Sequence, residues 1–178
     1  MGFGAGQIVT EDDLALFIAR ETYQELTTVS VVASTAFVDI PGSTINVIAG
    51  ATYWVDVWVA YDGPTAGDAK FAWTTSDADI GLDRNCMGPA LTINATTGPP
   101  IQGNLQIPDM LMIRRGTTTA VSVGTPNAVA NAFTIYHETA ILKSTAAADG
   151  TAVMRFGQNA ASGTSLVQSG YMKITRVA

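Results

Sequence analysis

A chain of 178 residues, 47% of them hydrophobic, can bury one sizeable core, and a formal net charge of -6 excludes a nucleic-acid surface built from clustered Lys and Arg. Only 13% of the residues are charged, against roughly 25% in an ordinary globular domain, so much of the surface is expected to be covered by partner subunits and the chain to be an oligomer. A single cysteine, Cys86, excludes an intrachain disulfide framework and fits folding in reducing cytoplasm, while the lack of a basic-led apolar leader or a bilayer-length apolar run leaves no expectation of secretion or membrane insertion.

In chain order, residues 1–6 form a Gly-rich arm, followed by Thr10 as a helix cap with Glu11, Asp12 and Asp13 in the first turn. Leu14, Phe17 and Ile18 fall at i, i+3 and i+4 and make a narrow apolar stripe on that predicted helix. After Glu25 the composition turns to Thr, Val, Ser and Ala, and strands are expected over 28–32, 36–40 and 44–48, with Pro41-Gly42 as a turn between the last two. The strongest strand is 53–61, which places Tyr53, Val55, Val57, Val59 and Tyr61 on one face and Trp54, Asp56, Trp58 and Ala60 on the other. Both faces are bulky, so the second is expected under another layer or at a subunit interface.

Residues 70–74 read as the partner of that strand, and 77–108 as a long, mostly irregular stretch interrupted by a short strand at 90–95. Strands at 110–113 and 118–123 read as a pair. Residues 133–143 form a long strand with Phe133, Ile135, His137, Thr139 and Ile141 on one face and Thr134, Tyr136, Glu138, Ala140 and Leu142 on the other. Two closing strands, 150–159 and 170–176, flank a small polar loop at 160–169. About eight strands or more with regular turn signals predict an all-β fold, a jelly roll or sandwich, preceded by an arm and short helix at 1–26, with the β-sandwich domain at 27–178.

The search for chemistry returns little. Asp77, Asp79 and Asp83 have the spacing of a calcium loop, but Gly88 stands where the bidentate Glu is needed. His137 is the only histidine, and its neighbour Glu138 points to the opposite face. The glycines of 2–6 follow no strand and lack a P-loop lysine, Asn94-Ala-Thr96 lacks the context for glycosylation, and Cys86 has no evident catalytic partner and reads as a buried thiol. No enzymatic activity, metal or cofactor is expected.

Gly150-Thr151 leading to Phe156-Gly-Gln-Asn159, then a Ser/Thr-rich loop and Gly170-Tyr171 running to Arg176, resembles the end of the TNF-like jelly-roll domains in structural proteins of tailed phages. Ala49-Gly-Ala-Thr-Tyr53 extends the resemblance upstream, and Gly6-x-x-x-Thr10-x-x-Asp13-Leu14 resembles the opening of many such virion proteins. The resemblance implies a TNF-like jelly roll that assembles as a homotrimer and serves as a capsid decoration protein, head fibre or minor tail protein. Because the domain nearly fills the chain, decoration is the first expectation: a trimer made in host cytoplasm and placed on the outer capsid surface, bridging subunits of the major capsid protein. Ile8, Val9, Leu14, Phe17 and Ile18 are the expected capsid anchors, and Tyr53, Trp54, Trp58, Tyr136 and Tyr171 the candidates for the trimer interface. The alternative is a minor tail or receptor-binding protein that recognises host-surface glycans through the 77–108 stretch and exposed Trp54, Trp58 or Trp73.

Overall fold

A computed structural model describes residues 21–64, 66–89, 91, 110–125 and 133–177. The expected arm and helix, with Ile8, Val9, Leu14, Phe17 and Ile18, lie outside the described residues, as do nearly all of the expected strand at 90–95 and the stretch leading to Pro108.

Every described element is a strand: β1 (Glu21–Leu26), β2 (Val29–Val32), β3 (Val38–Val47), β4 (Thr52–Asp62), β5 (Ala69–Thr75), β6 (Ile80–Pro89), β7 (Met110–Arg115), β8 (Val121–Val123), β9 (Thr134–Ser144), β10 (Gly150–Gln158) and β11 (Thr164–Arg176). They form two antiparallel sheets. The larger runs β1-β11-β4-β9-β6-β7 with β2 also on β11, and the smaller runs β3-β10-β5-β8. Packed face to face as a sandwich, they enclose one core.

Period-two alternation positions that core. Val55, Val57, Val59 and Tyr61 of β4, Leu142 of β9 and Met172 of β11 point inward from the larger sheet, and Phe71, Met154 and Phe156 meet them from the smaller one. Phe71 stacks on Tyr136 with centroids 4.1 Å apart and meets Tyr61 edge-on at 5.4 Å. Glu21–Leu26, which the sequence assigns to the N-terminal arm segment, is an edge strand of the sandwich, tied to β11 from Glu21↔Thr175 to Leu26↔Gly170.

Four sequence expectations are corrected. Pro41-Gly42 is no hairpin turn but lies within the single strand β3, where five residues of β3 pass while β10 advances only from Val153 to Arg155. The extra residues form a bulge, and the Ser43 hydroxyl, within 3.1 Å of both the Met154 N–H and its carbonyl, patches the interrupted ladder. β5 does not pair with β4; it crosses to the other sheet, between β10 and β8. β7 and β8 likewise lie in different sheets. The stretch expected to be irregular from 77 contains β6, ten residues paired with both β7 and β9.

Candidate functional site

The outward face of the larger sheet carries the side chains that the core does not use. On adjacent strands, the register puts Tyr171 of β11 beside Trp58 of β4, and Trp58 beside His137 of β9. The three rings form a row: Trp58 stacks on His137 at 4.1 Å and on Tyr171 at 6.5 Å, both at an interplanar angle of 19°. His137 Nε2 lies 2.8 Å from Asp56 Oδ1, which fixes the imidazole against the Trp58 ring. Both broad faces of the Trp58 indole are therefore flanked by neighbours, and the row presents its edges to solvent.

Tyr23, Ile135 and Phe133 add exposed apolar area around this row. Isolated exposed apolar residues are ordinary, but a contiguous set on one sheet face is the mark of an interaction surface. Four residues earlier along β4, Trp54 is 45% exposed and pairs in register with the equally exposed Ile141. These two line a shallow depression of about 250 Å³ whose other walls include Asp83 and Asn85 of β6, Arg114 of β7 and Thr139 of β9. Arg114 Nη2 is 3.4 Å from Asp83 Oδ1 in an ion pair that is mostly in solvent.

Of the five interface candidates, Trp54, Trp58 and Tyr171 stand on this outer face. Tyr53 and Tyr136 do not: both are on the inward side, 6% and 0% exposed, and belong to the core. The reason is parity, because Tyr53 shares its face with Val55, Val57 and Val59, and Tyr136 shares its face with Leu142. Trp73 is also interior and donates its Nε1–H to Glu138 at 2.7 Å, so it offers no surface ring. Sequence reasoning overlooked Asp83, Asn85, Arg114 and Ile141 as one cluster, since they come from three strands whose register sequence does not show.

A second cluster lies inside the sandwich. Arg84 Nε and Nη2 both donate to Glu138 at 2.8 Å, with neither side chain exposed. The Tyr136 hydroxyl donates to the same carboxylate, and the Cys86 thiol lies 3.5 Å from it. Arg84 Nη1 reaches the Thr119 carbonyl at 2.9 Å. Burial alone weakens the Arg84 charge, but hydrogen bonds and attraction from Glu138 hold its pKa above the ordinary guanidinium value. Burial, then the Glu138 charge, raises the Tyr136 pKa well above that of a free phenol. Sealed from solvent and saturated with internal partners, this cluster organises the core and offers no place for a substrate. Among the described residues, no three His, Cys, Asp or Glu side chains are grouped to hold a metal ion.

No known protein-family profile matches the chain, and no curated protein matches it. Among solved structures it is similar to the VP2 subviral particle of infectious bursal disease virus at 8% identity, over 99% of this chain and 45% of that one, with a TM-score of 0.21. The structure of the Gt strain of the same virus gives 11% identity, 99% and 44% coverage and a TM-score of 0.17. That of the Gx strain gives 10%, 89% and 41%, and 0.19. The chain spans less than half the length of these viral chains, and the likeness is too faint to carry weight.

Proposed function

We propose that this chain is a non-enzymatic virion structural protein, a TNF-like jelly roll that assembles as a homotrimer and decorates the outer surface of a phage capsid, bridging subunits of the major capsid protein. The observation that carries the reading is the outward face of the larger sheet, where Tyr171, Trp58 and His137 form a stacked row among further exposed apolar residues. In a chain with only 13% charged residues, such a face supports burial against another copy.

Strand pairing supports the jelly-roll part. A jelly roll arises when one long hairpin of eight strands is rolled up, so that first pairs with last, second with seventh, third with sixth and fourth with fifth. With β2 set beside β1 and the β6-β7 hairpin as an insertion, the remaining strands give the nested pairs β1 with β11, β3 with β10, β4 with β9 and β5 with β8. Decoration then follows from the sequence resemblance at Gly150 to Arg176, and shell stabilisation from mass action, since a ligand that binds only the assembled shell favours that shell.

The test is light scattering on the purified protein, followed by sedimentation with undecorated shells of its own virus. A trimer that co-sediments is the expected result, and Trp58→Asp is expected to give a folded monomer. A monomeric wild-type protein would remove the assembly argument, and a trimer left in the supernatant would remove decoration.

A further inference from the structure

We propose that the depression between Trp54 and the Asp83–Arg114 pair is a binding subsite for one neutral hexopyranose ring, such as a terminal sugar of a cell-surface polysaccharide. The inference goes beyond the assembly reading and does not rest on it. The site is built by register: Trp54 pairs with Ile141, Ile141 with Asp83, Thr139 with Asn85, and Asn85 with Arg114, so four neighbouring strands each place one or two side chains on the same patch. Its outer lining divides into an apolar part, Trp54 and Ile141, and a polar part, Asp83, Asn85, Arg114 and Thr139.

That division matches a sugar. A pyranose has a C–H face that lies against an aromatic ring and a rim of hydroxyls, each able to donate and accept. Among the described residues no ring is stacked on Trp54, which is 45% exposed, in contrast to Trp58 between His137 and Tyr171. The Asp83 and Arg114 side chains are 71% and 76% exposed and meet at a single 3.4 Å contact, so most of their hydrogen-bonding capacity is open to a ligand. A carboxylate that accepts beside a guanidinium that donates suits two adjacent hydroxyls, and Asn85 and Thr139 can do either. The depression, about 250 Å³, falls below the roughly 300–1,000 Å³ of sites for drug-sized ligands and suits one ring.

Charge selects within the class. Asp83 and Arg114 cancel, so the patch has no net attraction for an ion. An acidic sugar or phosphate meets Asp83 and a chain of net charge -6, and an amino sugar meets the Arg114 cation. A neutral ring alone satisfies both side chains without burying an unpaired charge. The aromatic row at Trp58 is four residues, roughly 13 Å, farther along β4, which leaves the depression separate from it.

The experiment titrates the intact protein with glucose, galactose, mannose and N-acetylglucosamine, with glucuronate and glucosamine as charged comparators, and follows indole and backbone amide shifts by NMR. At least one neutral hexose is expected to bind saturably with a millimolar dissociation constant, the range for so small a ligand, with the largest shifts at Trp54, Asn85 and Arg114. Trp54→Ala and Asp83→Ala, both at exposed positions, are each expected to weaken that binding by about tenfold or more. The proposal is overturned if no neutral hexose binds, if Trp54→Ala binds as tightly as the wild type, or if only a charged comparator binds.

Discussion

Glu138 is fully buried, yet its two oxygens accept from five donors: Arg84 Nε and Nη2, Trp73 Nε1, the Tyr136 hydroxyl and the Cys86 thiol. Removing one partner of a buried ion pair destabilises by about 3–5 kcal/mol, and each orphaned buried donor adds about 1–3 kcal/mol. Arg84→Met leaves the carboxylate with Trp73, Tyr136 and Cys86, and we expect a loss of about 3 kcal/mol. Glu138→Leu strands a guanidinium, an indole N–H, a phenol and a thiol, and a loss of about 5 kcal/mol or more is expected, enough to unfold a marginal domain. Urea denaturation of the two variants checks the order; a larger loss for Arg84→Met would place the main stabilisation in its bonds to backbone carbonyls instead. Cys86, in the same cluster, gives a pH signature. Burial first, then the Glu138 charge, pushes its thiol from 9.0 up to about 12. Between those values the unfolded chain has released a proton that the folded chain retains, so stability falls as pH rises. Buried Tyr61 and Tyr136, both raised above 10.0, act in the same direction at higher pH. A melting temperature steady from about pH 7 to 8 and falling above about pH 9 is expected, with the fall starting later in Cys86→Ala; equal profiles would show that the thiol has no part in it.

The bulge of β3 shows how the same local signal serves two ends. Gly42 has φ +83°, and a Cβ there would lie 2.1 Å from the Glu25 carbonyl oxygen, where β3 passes the end of β1. Gly42→Ala therefore combines a left-handed backbone with a backbone clash, and a loss of about 3 kcal/mol is expected. Gly50→Ala supplies the comparison: φ is +71°, but a Cβ meets nothing within 4 Å, so about 1–2 kcal/mol is expected from conformation alone. Thermal melts of the two variants separate clash from conformation, and equal losses would assign both to φ. Pro41-Gly42 has the residues of a turn, and only the pairing of β3 with β10 on both sides of it reveals a bulge. Strands with clean alternation were legible: the two faces of β4 and of β9 are those the sequence predicts. β6 was not, because Asp83, Asn85, Gly88 and Pro89 are residue types that strands usually avoid. Its inward Arg84 makes sense only beside Glu138, 54 residues away. β5 was misplaced for a related reason, since sequence neighbours usually pair, whereas here the chain crosses between sheets.

At the scale of the whole molecule, alternation divides residues between two faces without saying which is the inside. That is why Trp54, Trp58 and Tyr171 were legible as surface candidates while Tyr53 and Tyr136, equally aromatic, proved to be core. The outward cluster of Asp83, Asn85 and Arg114 needed the register of β6 and β7, which depends on long-range pairing. β1 starts at Glu21 and is tied down at once, by the ladder to β11 and by the Glu21–Lys173 ion pair at 2.7 Å. Among the described residues, the core cluster runs from Leu26 to Ile174. Deletion of residues 1–20 leaves this ladder, ion pair and described core in place, and is expected to change stability by less than about 1 kcal/mol, a melting shift within about 4 °C, and to leave the proposed trimer intact. If the Ile8, Val9, Leu14, Phe17 and Ile18 segment is what grips the shell, the same truncation loses co-sedimentation with capsids while keeping its mass in light scattering. Equal sedimentation of truncated and full chains would move the capsid contact onto the sandwich itself, and a truncated chain that falls to a monomer would make the segment part of the subunit interface instead.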